Sequence, residues 1–124
     1  MKRIDLDGPD VDWDDQQAPL YQGEPFTGEA VEYHPDGTLW TLRTFAGGFE
    51  EGPTRQWYRD GSQHRDGLLR GHQPDGEWRE WRPDGTPRPL DVFDRGRRVS
   101  YRVWDQAGEV VEDVELPPPD GNDA

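Results

Sequence analysis

Few side chains in the sequence combine a reactive type with a spacing that could do covalent chemistry. The three histidines are His34, His64 and His72. His34 stands beside Asp36, and His72 is three residues from Asp75, a spacing at which an imidazole and a carboxylate can share a metal ion. Neither has a second nitrogen ligand close by, and solvent-exposed turn histidines are the simpler reading. Ser62 and Ser100 are the only serines, and neither lies in the Gly-x-Ser-x-Gly elbow that exposes a nucleophile. With no cysteine, thiol nucleophiles, thiolate zinc sites and disulfides drop out. Carboxylates are plentiful, but no spacing singles out a pair for acid–base work. The expectation is a protein that is not an enzyme and takes no metal or cofactor.

Two stretches carry chemistry of another kind. Arg55, Gln56, Trp57, Tyr58 and Arg59, then Trp78, Arg79, Glu80, Trp81 and Arg82, interleave guanidinium groups with rings, as single-strand binding surfaces do. The formal net charge of −13 opposes that use, because neutralising phosphates dominates nucleic-acid affinity. The same field disfavours anionic lipid surfaces. Packing across strands and cation–π contacts are the expected role of these residues, with neither nucleic acid nor membrane as a partner. Charge favours a basic protein instead, since long-range attraction speeds encounter. The acids concentrate at the ends: residues 1–20 hold six against two bases, residues 105–124 hold seven against none, and the middle is nearly neutral.

The elements that would position these residues follow from a repeat. Tyr21, Gly23, Gly28, Tyr33, Asp36 and Gly37 recur 24 residues later as Phe45, Gly47, Gly52, Trp57, Asp60 and Gly61, and again as Leu69, Gly71, Gly76, Trp81, Asp84 and Gly85. A degraded fourth copy runs from Phe93 through Gly96 to Trp104 and Gly108. This period suits two strands and two turns. Pro35-Asp36-Gly37, Arg59-Asp60-Gly61 and Pro83-Asp84-Gly85 supply hairpin turn chemistry. Pro74-Asp75-Gly76 falls on the other glycine of the period and is expected to decorate the opposite set of turns. Alternation puts Tyr33, Trp57 and Trp81 on the core face, and Glu32, Tyr58, Trp78, Glu80 and Arg82 on the opposite one. Pro87 and Pro89 should interrupt the sheet after the third Asp-Gly turn, leaving the fourth copy as a cap.

Ile, Leu, Val and Phe make up only 21 of the 124 residues, which alone would suggest disorder. Six Trp and four Tyr offset this, because large rings can replace several aliphatics in a small core. The expected fold is all-β, an antiparallel meander of β-hairpin repeats forming a twisted single sheet with little helix. Residues 1–20 read as an acidic edge strand or cap, 21–116 as the repeat domain with units near 21–44, 45–68, 69–92 and 93–116, and 117–124 as an extended Pro/Asp-rich tail. No run approaches 18 apolar residues and the first fifteen residues are acidic, so neither a membrane span nor a signal peptide is expected, and a cytoplasmic location is.

Gly23-Glu24-Pro25-Phe26-Thr27-Gly28, followed by Tyr33, Asp36-Gly37 and the next Gly-x4-aromatic element, resembles the MORN-variant repeats of the YwqK family of bacterial antitoxin or immunity proteins. The resemblance covers about residues 21–85 and implies hairpin repeats, no cofactor, and neutralisation of a toxin encoded nearby. Asp replaces the Asn frequent in the family's turn, the third copy is altered at His72-Gln73-Pro74-Asp75, and the acidic tail is unusual. The expected function is binding a cognate basic toxin through Tyr58, Trp78 and Arg82, with Glu32 and Glu80 as anionic partners. The alternative is a structural or scaffolding repeat module without a toxin partner.

Overall fold

A computed structural model of the chain describes residues 2–117. The tail read at 117–124 lies, apart from Pro117, outside the described residues. Those residues form twelve strands and no helix: β1 (Arg3–Asp5), β2 (Val11–Trp13), β3 (Pro19–Tyr21), β4 (Glu24–Pro25), β5 (Gly28–Tyr33), β6 (Leu39–Ala46), β7 (Phe49–Trp57), β8 (Gln63–Arg70), β9 (Gln73–Glu80), β10 (Leu90–Asp94), β11 (Arg97–Trp104) and β12 (Val110–Glu115). The protein is all-β. Nine strands make one sheet in the order β1-β5-β6-β7-β8-β9-β10-β11-β12, and β2, β3 and β4 make a small second sheet. From β5 onward every neighbour pairs antiparallel. The exception is β1, which pairs parallel to β5.

The repeat is visible in two rows of turns. At 34–38, 58–62 and 82–86 the first residue donates its N–H to the fifth carbonyl, and the fourth donates to the first, with N···O distances of 2.8 or 2.9 Å. Asp36, Asp60 and Asp84 accept both the backbone N–H and the hydroxyl of Thr38, Ser62 and Thr86, the hydroxyl at 2.6 Å each time. The opposite row consists of Gln22-Gly23, Gly47-Gly48, Gly71-His72 and Arg95-Gly96, all with positive φ at both positions, the backbone of a type I′ hairpin.

Pro74-Asp75-Gly76 is not a turn; it lies inside β9. Asp75 instead accepts the Arg95 N–H at 3.1 Å, as Glu51 accepts from Gly71 at 2.8 Å and Thr27 from Gly47 at 2.8 Å. A side-chain oxygen recurring every 24 residues thus satisfies the N–H that opens the next hairpin.

Leu90 of β10 is buried apart from the others; the apolar cluster is small and lies at the N-terminal end. Ile4, Leu6, Phe26, Ala30 and Phe45 form it, with Val11 and Tyr21 packed alongside. The Phe26 ring stands 6.0 Å from Tyr21 and 6.3 Å from Phe45. The register Ile4↔Ala30 aims Ile4 at this cluster, and Leu6 N–H to Val31 O at 2.9 Å fixes its neighbour. Gly28 makes the approach feasible: a Cβ there would stand 2.5 Å from the Lys2 carbonyl oxygen and 2.9 Å from the Phe26 ring. The N-terminal segment is therefore both an edge strand and a core-forming cover.

This largely reverses the expected core face. On that face Val31 is buried, but Tyr33 is 45% exposed and Trp57 and Trp81 are half-buried, whereas Ala30, Thr41 and Thr54 on the opposite face are buried. The extra residues at the register shifts, Trp40 and His64, lie on the partner strands, so alternation along β5 and β7 holds; what overturns the reading is the N-terminal segment, which packs Ile4, Leu6 and Phe26 against Ala30 on the opposite face. The proline interruption is present: between Trp81 and β10 the pairing thins to the bridge Trp81↔Pro87 and the Arg88 N–H to Glu80 O bond at 2.9 Å. Pairing then resumes, so the fourth copy extends the same sheet instead of capping it.

Candidate functional site

The register sets polar side chains in rows across the sheet. Glu32, Thr41, Gln56, Arg65 and Glu80 stand opposite one another from β5 to β9, and Ala30, Arg43, Thr54 and Gly67 form the next row. Cross-strand neighbours share a face, so both rows lie on the face that further along receives the N-terminal cover. Beyond that cover the face is open, and a cleft of about 410 Å³ lies on it.

Its floor is a set of matched charges. Arg43 holds Glu50 at 3.0 Å and Glu32 at 3.8 Å, and the buried Thr41 hydroxyl donates to Glu32 at 2.8 Å. Arg65 reaches Glu80 at 2.9 Å. Among the described residues, no buried side-chain nitrogen or oxygen lacks a partner. The carboxylates and guanidinium groups are thus fixed in place as a charged floor.

Two indoles border it, Trp40 and Trp78. Trp78 donates its Nε1–H to Leu68 O at 3.1 Å and its ring covers Gly67. Trp40, 41% exposed, is the extra residue where the register shifts between Glu32↔Thr41 and Tyr33↔Leu39. Its ring rests 5.7 Å from that of His34, and His34 Nε2 lies 3.0 Å from the Trp57 carbonyl oxygen. His34 is accordingly a half-buried positioning residue, not an exposed turn histidine.

Of the expected contact residues, Glu32 and Trp78 line this cleft, and Glu80 borders it through Arg65. Tyr58 does not join them. Its hydroxyl donates to Trp81 O at 2.6 Å and its ring stacks on His64 at 4.4 Å, one repeat after the His34–Trp40 pair. Arg82 belongs to a separate cleft of about 600 Å³ with Trp104 and Asp105, its Nη1 donating to Pro87 O at 3.1 Å. Trp40, Arg43 and Glu50 were not singled out by sequence reasoning. Trp40 and His64 share a place in the repeat, four residues after Asp36 and Asp60, and that spacing was the available signal.

The three turn carboxylates are the perturbed acids. Hydrogen bonds from the hydroxyls of Thr38, Ser62 and Thr86, then from their backbone N–H groups, hold Asp36, Asp60 and Asp84 below the usual carboxylate range. Low affinity for protons suits turn anchors and not proton donors. Comparison with known protein families, with characterised proteins and with solved structures gave no match.

Proposed function

We propose that the chain is a non-enzymatic immunity or antitoxin protein that binds a cognate, basic toxin domain, as the resemblance to the YwqK-type repeats implies. The observation that carries this reading is the cleft bordered by Trp40 and Trp78 over a floor of fixed Glu and Arg side chains. Aromatic rings held at the surface, next to ordered charges, have the composition of interface hot spots. The acidic net charge would draw in a cationic partner. Interlocking contacts between repeats favour the second reading, a rigid scaffolding module, because the side chains at 27, 51 and 75 serve the next hairpin and no ligand.

Co-expression with the product of the adjacent gene tests both. The expected result is growth arrest by that product alone, relief by this chain, a complex that co-purifies, and loss of relief in Trp40→Ala/Trp78→Ala. An adjacent product that arrests nothing and forms no complex would remove the immunity reading and leave the scaffold.

A further inference from the structure

A second free surface is an edge rather than a face. β12 ends the nine-stranded sheet. Leu116 donates its N–H to Val99 O at 2.8 Å, and Val114 stands opposite Tyr101 and Glu112 opposite Val103. Antiparallel alternation therefore turns the N–H and C=O groups of Asp113 and Glu115 away from β11, where no strand among the described residues meets them. The open stretch is bounded on both sides. The register shift makes Val111 an extra residue at one end, and Pro117 offers no N–H at the other.

The side chains on this edge select what can pair with it. Glu112 and Val114 project to one face and Asp113 and Glu115 to the other, so an added strand meets acids on both. Arg102 engages Asp113 at 3.1 Å, while Glu115 makes no ion pair among the described residues. A second copy of β12 would set like charges opposite each other, which is destabilising. The far edge, β1, is three residues long, and its Arg3 is already held by Glu29 at 2.9 Å.

The geometry points to β12 as a strand-addition site for an extended basic segment of a partner protein. The segment's backbone bonds to Asp113 and Glu115, and its Lys or Arg side chains meet Glu112, Asp113 and Glu115. This edge shares no residue with the Trp40–Trp78 cleft, so its failure would leave the reading of the cleft standing.

The test is amide NMR of the full chain titrated with acetyl-Lys-Val-Lys-Val-Lys-amide. Saturable shifts and slowed exchange at Asp113 and Glu115 are expected, with no binding by the peptide carrying Glu for Lys. Glu115→Pro removes both the carboxylate and an outward N–H that bonds nothing in the fold, whereas Glu115→Gln removes the charge alone; the proline should weaken binding by about tenfold beyond the glutamine, with melting unchanged in both. Equal binding by a peptide with N-methylated amides would overturn the proposal, since attraction would then need no strand pairing. Shifts confined to other residues would overturn it too, as would protection of Asp113 and Glu115 in the chain alone that vanishes on dilution, which makes a second copy the occupant.

Discussion

The Trp78 indole occupies the space that a side chain at Gly67 would need. Trp78 lies on β9 and Gly67 on β8, and the ring covers the glycine backbone so closely that no Cβ fits between them. A ring laid over a strand glycine restores the packing that the glycine forgoes. We predict that Gly67→Ala destabilises the protein by about 1–3 kcal/mol through overpacking. In a Trp78→Ala background the same substitution should be neutral or slightly stabilising. Urea titrations of the four proteins measure the coupling, and additive effects would show that the ring is not seated there.

Phe26 sits between Tyr21 and Phe45 in the buried cluster. Truncating it to Ala should cost about 3–5 kcal/mol, the range for a buried ring, and Phe45→Ala should behave alike. Trp57→Ala, at a half-buried position, should cost clearly less. Chemical denaturation ranks the three; a larger loss at Trp57 would return the core to the opposite face.

Tyr58→Phe deletes the hydroxyl that bonds the Trp81 carbonyl at 2.6 Å and leaves the stack on His64. The expected loss is about 0.5–1.5 kcal/mol. His34→Ala should instead release Trp40, seen as a change in that indole's fluorescence anisotropy with little change elsewhere. An unaltered Trp40 signal would refute the positioning role.

Asp36, Asp60 and Asp84 bind protons less tightly in the fold than in the open chain, because hydroxyl and backbone donors favour their charged form. Their contribution is therefore complete above the ordinary carboxylate value of 3.8 and is lost as pH falls through the lower folded values. Replacing all three with Ala should flatten the fall in stability over that acid range while lowering the plateau near neutrality. Urea midpoints taken across the acid range would decide it, and a slope unchanged by the substitutions would mean that other acids control it.

Local chemistry was legible in the sequence and long-range packing was not. Asp36-Gly37, Asp60-Gly61 and Asp84-Gly85 each encode a turn in adjacent residues, and all three turns form. The core face was misread because alternation along a strand does not say which of its two faces another segment covers, and here Ile4, Leu6 and Phe26 cover the Ala30 side and leave Tyr33 exposed. Ile4 and Leu6 stand among Asp5, Asp7 and Asp10, so charge hid two apolar residues that only a parallel pairing with β5 brings to Ala30. In the cleft, Glu32 and Trp78 were reachable through strand pattern, whereas Arg43 and Glu50 meet across a β6–β7 pairing whose register shifts between Arg43 and Phe45.

Every member of the buried cluster, from Ile4 to Phe45, belongs to the first 46 residues of this chain. During synthesis that stretch leaves the ribosome before the remaining hairpins exist, so this apolar cluster can close while the rest is still being made. Each later hairpin then needs only its predecessor as a template, a sequence of short-range steps that keeps loop-closure costs low. The molecule would accordingly be assembled from its N-terminal end and come apart from its C-terminal end, with β12 the first strand to fray and β5 and β6 the last to exchange their amide protons.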